Sequence, residues 1–341
     1  MSVRIAIDAM GGDLAPKALV DGAVKAATAD QEVQIILVGQ PDKLPQEQSL
    51  PANVTVEEAA TVMAMDESVE NLRKKRDSSI WVATKMVKEG RADAVISAGS
   101  TGAQMASALL LLGRIPGITR PGICTIFPTL KGGSILLDIG ANLELDVEQY
   151  LQFAVLGQVA AQALLQVENP TIGLLNNGAE EHKGTDKLVE AHQLLKKSGL
   201  NFIGNYEARD LMSGNVDVIV TDGFTGNAVL KTSEGLAKTF VGVLKQELSA
   251  TMVRRLGAAL VMPGLKNLKQ MLDYKKVGGA PLLGVGGLSV VCHGSSDAVT
   301  IEAAVKQTVN LHKSGFIPAM KERAASFFVD KKTVDSKAKE N

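Results

Sequence analysis

Short unbroken apolar runs alternate along the chain with stretches whose apolar positions recur every three or four residues. The runs, at 3–7, 35–38, 94–96, 135–137, 172–175, 216–220 and 288–291, are rich in Val and Ile and show no polar alternation. That pattern suits strands buried on both faces, as in a parallel sheet covered by helices. Amphipathic stretches at 16–28, 79–88, 147–165 and 186–197 predict the covering helices. Strand and helix taking turns predicts an α/β fold with a doubly wound sheet. One catalytic domain over 1–329 accommodates it, followed by a polar tail at 330–341 with almost nothing to bury.

The alternation lapses between 251 and 276. Met252, Leu256, Ala259 and Leu260 share one helical stripe and Leu265, Leu268 and Leu272 another, with Pro263-Gly264 between them. A helical hairpin broken at Pro-Gly follows, protruding from the domain with an apolar tip at 260–265. Arg254, Arg255, Lys266, Lys269, Lys275 and Lys276 face a single acid, Asp273. Basic amphipathic helices lie on anionic bilayers, so Leu260, Val261, Met262 and Leu265 are the candidate membrane contacts. A hairpin packed into a dimer interface or the core gives the same pattern.

Composition narrows the function classes. The chain has 341 residues, 45% hydrophobic but only 4% aromatic, so Ala, Val, Ile and Leu must build the core. A net charge of −1 supplies no global field for nucleic acid, and none is expected as a partner. Cys124 and Cys292 are too few and too distant for a disulfide framework or a Cys-rich zinc site. His182, His192, His293 and His312 show no ligand spacing, so neither metal nor cofactor is expected. The N-terminus enters a strand pattern without a signal-like segment, and no stretch reaches the roughly 18 apolar residues of a membrane span. A cytoplasmic protein, partly associated with the inner face of the cell membrane, is the expectation.

The strand ends carry the chemistry, because open α/β sheets bind ligands beyond the carboxyl ends of their strands. Asp8, Gly11, Gly12 and Asp13 follow the first run; Ser97, Gly99 and Thr101 follow the third; Asp138 and Asn142 follow the fourth. Further on come Asn176 to Lys183, Asp222 to Asn227, and His293 to Asp297. Glycine lets backbone N–H groups close on an anion, and the following helix offers free donors and a positive dipole end. One such turn is ordinary punctuation between strand and helix. Six of them with small polar residues form a site. No G-x-x-x-x-G-K-[ST] is present, and the first loop lacks G-x-G-x-x-G, so a dehydrogenase rests on fold alone.

Taken in order, these loops resemble the bacterial phosphate acyltransferases that make acyl phosphate for phospholipid synthesis. The resemblance spans nearly the whole chain, from the loop of Asp8 to the loop of His293. It includes KKRDSSI at 74–80, KEGRADA at 88–94, FIGNYEARD at 202–210, TDGFTGN at 221–227 and Gly278–Ala280. It implies a Rossmann-like α/β/α fold of the isocitrate and isopropylmalate dehydrogenase type, also related to phosphotransacetylase, usually as a homodimer. The implied reaction joins inorganic phosphate to the acyl group of an acyl-[acyl carrier protein] and frees the carrier protein. Two positions depart from the family pattern: Ser100 where Asn is usual, and Thr185 after Lys183-Gly184 where Asn is common.

Lys183, in a Gly-flanked loop, is the first candidate for the phosphate contact; a solvated lysine beside Glu180 and Glu181 is the plainer reading. Asn227 opens a helix and Lys231 follows on the same face, so an amide and a cation meet at a helix N-terminus. Asn227 there orients phosphate, donates to the oxyanion, or simply caps the helix. Asp8, Asp13, Asp138 and Asp222 organise loops rather than touch phosphate, since like charges repel. Cys292 before His293 raises a covalent acyl-cysteine route, disfavoured because adjacent strand residues point to opposite faces. The run Arg73, Lys74, Lys75 and Arg76 offers a docking patch for an acidic carrier protein, or simply a solvated face. Alternatives are a CoA-dependent phosphate acyltransferase of the phosphotransacetylase type, an NAD-dependent dehydrogenase, and a non-catalytic membrane adaptor.

Overall fold

The computed structural model describes residues 2–271 and 278–329, without the side chains of 263, 265–271 and 329. The polar tail at 330–341 lies outside the described residues. Eleven strands among them form one sheet: β1 (Val3–Asp8), β2 (Val33–Gly39), β3 (Val54–Glu58), β4 (Ala94–Ser97), β5 (Gly122–Thr129), β6 (Gly132–Leu137), β7 (Ile172–Asn176), β8 (Phe202–Glu207), β9 (Val218–Val220), β10 (Ala280–Leu283) and β11 (Leu288–Val291). Their spatial order is β3-β2-β1-β4-β11-β10-β5-β6-β9-β7-β8. The helices are α1 (Lys17–Ala29), α2 (Ser79–Lys88), α3 (Thr101–Leu111), α4 (Val147–Leu165), α5 (Asp186–Lys196), α6 (Gly223–Ser249), α7 (Met252–Met271), α8 (Ala298–Lys313) and α9 (Phe316–Ala324).

The sheet is mixed, which corrects the parallel sheet expected from the apolar runs. β3, β2, β1, β4 and β11 form one parallel block, and β6, β9, β7 and β8 another. Between them β10 is antiparallel to both β11 and β5, and β5 is antiparallel to β6. The two blocks therefore run in opposite senses. β10 is the joint: Ala280 and Pro281 pair with β11, whereas Leu282 and Leu283 pair with Ile123 and Gly122 of β5. Past Ile123, β5 pairs with β6 on one side and with no described strand on the other.

Side-chain alternation assigns the layers. Ile5, Ile7, Ile35, Leu37, Ile135 and Leu137 pack against buried residues of α1, α4, α5, α8 and α9. On the opposite face, Ala6 and Val38 meet Ile80, Met86 and Ala103 of α2 and α3, and Leu136 and Ile219 meet Leu230 of α6. The result is three layers, with β1 and β4 buried almost throughout by this double cover.

The helical hairpin expected within 251–276 is not formed among the described residues; a different one, of α6 and α7, stands in its place. α7 runs on through Pro263-Gly264, and the reversal falls earlier, between α6 and α7, where the Thr251 hydroxyl accepts from the Arg254 N–H at 3.2 Å as a cap. Leu260, Val261 and Met262 therefore sit more than two turns beyond the reversal, on the flank of α7 rather than at its tip. All three are exposed, Leu260 by 84%. The side chain of Leu265 is outside the described residues.

Candidate active site

The first block contributes three loops tied to one another. The Asp8 carboxylate is buried and accepts from the Ser97 hydroxyl at 2.6 Å and the Met10 N–H at 3.3 Å. Burial pushes this carboxyl up from its ordinary range, opposed by the Ser79 and Ser97 hydroxyls and the Met10 and Gly11 N–H groups. Ser97 Oγ also accepts the Gly99 N–H at 3.0 Å, so the loops after β1 and β4 share one hydrogen-bonded centre. The Asp13 N–H donates to the Gly294 carbonyl at 2.8 Å, joining the loop after β11. Gly12 has φ +103°, and a Cβ there would press on the Ala98 and Gly294 carbonyl oxygens at 3.0 Å. Only glycine fits that crossing.

The second block is organised around Asp138. Its Oδ1 accepts from the N–H groups of Ile123, Gly140 and Ala141 at 3.0, 3.2 and 3.1 Å. Oδ2 accepts from the backbone and side-chain amides of Asn142 at 2.7 and 2.9 Å. Burial pushes the carboxyl up, while five donors with no competing acceptor favour its charged form. Asp222 caps α6, accepting from the Thr225 N–H at 2.7 Å and hydroxyl at 2.9 Å. Gly226 lies so close to the Asp138 carbonyl oxygen that any side chain would collide with it. Asp8, Asp138 and Asp222 thus accept the hydrogen bonds that hold their loops; Asp13 joins in through its backbone.

Between the blocks lies a cavity of about 320 Å³. Thr101, Asn227, Lys231, Glu234 and His293 supply its polar wall, and Ile123, Ile126, Ile139, Leu230 and Val291 its apolar one. Lys231 Nζ is held 2.8 Å from Glu234 Oε2, a partner the sequence reading missed although the i,i+3 spacing signals it. Ser295 was missed as well. Its backbone N–H donates to His293 Nδ1 at 3.2 Å and its hydroxyl lies 2.8 Å from the same nitrogen. A neutral imidazole held this way carries its proton on Nε2.

Other expected residues stand apart from this cavity. Lys183 is exposed on the loop after β7 and has no hydrogen-bond or ion-pair partner for its ammonium among the described residues. Its carbonyl accepts from Asn176 Nδ2 at 3.0 Å, which fixes the loop. Cys292 and His293 border one cavity despite their alternation, but Cys292 is buried and its thiol is pushed up to about 12 by desolvation. In the basic run, Lys75 pairs with Glu67 at 2.7 Å and Arg76 lies 5.8 Å from the Trp81 ring centre. Arg73 and Lys74 are exposed and make no ion pair among the described residues.

The two departures from the family pattern have a common explanation. Ser100 caps α3, accepting from the Ala103 N–H, and Thr185 caps α5, accepting from the Leu188 N–H, both at 3.4 Å. Ser, Thr and Asn interchange readily at that position.

The α/β architecture thus sets amide, imidazole and ammonium groups beside an apolar wall in one cavity. The chain belongs to the family of fatty acid synthesis proteins, which it matches over residues 3–319. It is 49% identical over 331 residues to the phosphate acyltransferase of Desulfitobacterium hafniense (strain DSM 10664 / DCB-2), covering 95% of this chain and 98% of that one. With the phosphate acyltransferase of Moorella thermoacetica it shares 48% over 322 residues, 93% and 95% of the two chains. The resemblance drawn from the loops is borne out at the level of family, and the chain is an acyltransferase. Among solved structures, a phosphotransacetylase from Streptococcus pyogenes superposes with TM-score 0.62 at 16% identity, covering 92% of this chain and 94% of that one. A branched-chain phosphotransacylase from Enterococcus faecalis V583 gives 0.59 at 14%, covering 91% and 99%. These two likenesses concern the fold.

Proposed function

We propose that the chain transfers the acyl group of an acyl-[acyl carrier protein] to inorganic phosphate, by direct attack, making acyl phosphate for phospholipid synthesis. The observation that carries the reading is the single cavity in which Asn227, Lys231 and His293 face an apolar wall. A phosphate oxygen attacks the thioester carbonyl carbon, the oxyanion forms, the C–S bond breaks, and the carrier thiolate leaves and takes a proton from water. Phosphate near neutrality is already partly dianionic, so the enzyme's task is positioning and oxyanion stabilisation. Asn227, which lies one turn inside α6 behind the Asp222 cap rather than at the helix opening expected from the sequence, orients phosphate, and Lys231 exchanges Glu234 for it. His293, with Nδ1 occupied by Ser295, offers Nε2–H to the substrate. Lys183 does not line the cavity; we assign it the phosphate contact on the ground that its ammonium, on the loop after β7, has no partner among the described residues. A covalent acyl-cysteine is disfavoured, because a buried thiol with so high a pKa supplies little thiolate.

The carrier protein docks on the basic run Arg73, Lys74, Lys75 and Arg76, of which only Lys75 has an ion-pair partner among the described residues. The α6–α7 hairpin exposes Leu236, Phe240 and Val243 on α6 and Val253, Leu256 and Leu260 on α7. This apolar face supports a homodimer and peripheral contact with an anionic membrane from the cytoplasmic side. No described helix is long and apolar enough to cross a membrane. We also read the architecture as the isocitrate and isopropylmalate dehydrogenase-like type.

The test is acyl phosphate formation, trapped with hydroxylamine, from palmitoyl-carrier protein and from palmitoyl-CoA. Activity with carrier protein that falls about 10²-fold or more in Asn227→Ala and Lys183→Ala supports the assignment. Activity with CoA alone moves the chain to the phosphotransacetylase type. No acyl phosphate from either donor sinks the reading.

A further inference from the structure

The cavity does not end at the sheet. Because β10 turns from β11 to β5 within four residues, β5 has no described partner on that side beyond Ile123, and a seam is left between it and residues 278–280. Thr125, Ile126 and Pro128 form one lip of this seam. Gly278 and Gly279, without side chains, form the other, held from the far face by Gln307 of α8, whose Oε1 accepts the Gly279 N–H at 2.9 Å. Ile126 belongs to two cavities at once. It borders the reaction cavity on the α3 and α6 face, and a second one of about 640 Å³ between α4 and α8 on the opposite face. The second is lined on its apolar side by Ala163, Leu164, Ala303 and Leu311, with Lys306 and Asn310 among its polar residues.

We propose that the aliphatic chain of the acyl donor threads this seam, passing Ile126 from the reaction cavity into the pocket between α4 and α8. The inference rests on the acyl-transfer reading of the same site and adds the path of the substrate. The thioester carbonyl belongs at the polar wall, and the apolar wall leads from there along β5. A cavity of about 320 Å³ shared with phosphate is small for a long acyl chain, which then extends beyond it. The seam beside Ile126 and Pro128 offers such an exit. Ile126 then acts as a gate that sets how many methylenes contribute to binding.

The measurement is kcat/KM for a donor series from butyryl- to palmitoyl-carrier protein, with wild type, Ile126→Trp and Ala163→Trp. In wild type each methylene taken into the path raises kcat/KM by about fourfold, ~0.8 kcal/mol. Ile126→Trp is expected to flatten that rise early in the series, and Ala163→Trp only at longer chains, because Ala163 lies in the second pocket alone. Ala163 is half-buried on α4, so its variant keeps the test available if Ile126→Trp melts early. Titration of an unreactive palmitoyl thioether of the carrier protein checks the path without catalysis, and Ala163→Trp should weaken it at least tenfold. Chain-length profiles identical in all three proteins, or unweakened binding of the thioether, overturn the path while leaving acyl transfer standing. Loss of catalysis with every donor, with thioether binding still sensitive to Ala163, keeps the path and removes the reaction.

Discussion

Replacing Asp138 by Asn tests whether a buried carboxylate, rather than a substrate, holds the second half of the site together. Asparagine keeps the shape of the side chain but turns an NH2 group towards donors that met an oxygen. Oδ1 serves three N–H groups and Oδ2 serves two, so either orientation of the amide strands at least two of them. A hydrogen bond to a charged group contributes about 1.5–3 kcal/mol, and two lost bonds cost ~3–6 kcal/mol. Relief from burying the charge offsets part of this, leaving about 3 kcal/mol. With an unfolding entropy of about 0.7 kcal/mol/K for a chain of 341 residues, the melting temperature should fall by roughly 4 °C. Activity should fall further than stability suggests. Gly140 faces Asn227, its Cβ direction ending 3.9 Å from that side chain, and a small displacement of reacting groups can cost about 10²-fold. Thermal unfolding and hydroxylamine-trapped acyl phosphate report the two effects separately. A variant that melts within about one degree of wild type and keeps its kcat refutes the role given to Asp138.

Other outcomes follow from single contacts. Burial alone would raise the Asp93 carboxyl, but the Arg4 guanidinium, 2.8 Å away, and the Arg4 N–H hold it below the ordinary carboxylate range. Its contribution to stability is therefore present above the unfolded value and lost as pH falls through the depressed folded value. Melting temperature against pH should show a flatter acid limb for Asp93→Asn than for wild type; parallel limbs would deny the linkage. Arg73→Glu with Lys74→Glu should raise the KM for carrier protein several-fold at low salt, less at high salt, with kcat kept. An unchanged KM removes docking there. Val253→Asp with Leu256→Asp on the hairpin should abolish sedimentation with anionic vesicles, and undiminished binding shows that the lipid contact lies elsewhere.

Much of the fold is legible where burial imposes one pattern over several residues. The runs at 35–38, 94–96 and 135–137 lie inside observed strands, and α2 and α4 begin and end where their periodicity does. The strands that escape are those with a different environment. β3 and β8 are edge strands with polar positions, β10 is four residues long and contains Pro281, and β5 carries Pro128 with half-buried positions. Missing β5 and β10 is what hid the reversal between the blocks. Among site residues, the loop aspartates announced themselves by position, whereas Ser295 and the apolar lips did not. Their roles depend on which loops meet across the joint, and local spacing carries no record of that. Pro263-Gly264 misled in the opposite way: proline removes one helical hydrogen bond, and α7 continues nonetheless.

The late arrival of β11 has a consequence for how the chain can be divided. The exposed turn between α6 and α7 is a natural point for a protease to nick the backbone. The piece after the cut carries β10, β11, α8 and α9, yet β11 sits between β4 and β10, α8 lies on α1, and α9 on α4. Neither fragment owns a complete sheet or a complete site, because His293 comes from one and Asn227 from the other. Co-expressed, the two pieces should reassemble as complementing halves, inactive singly and active together.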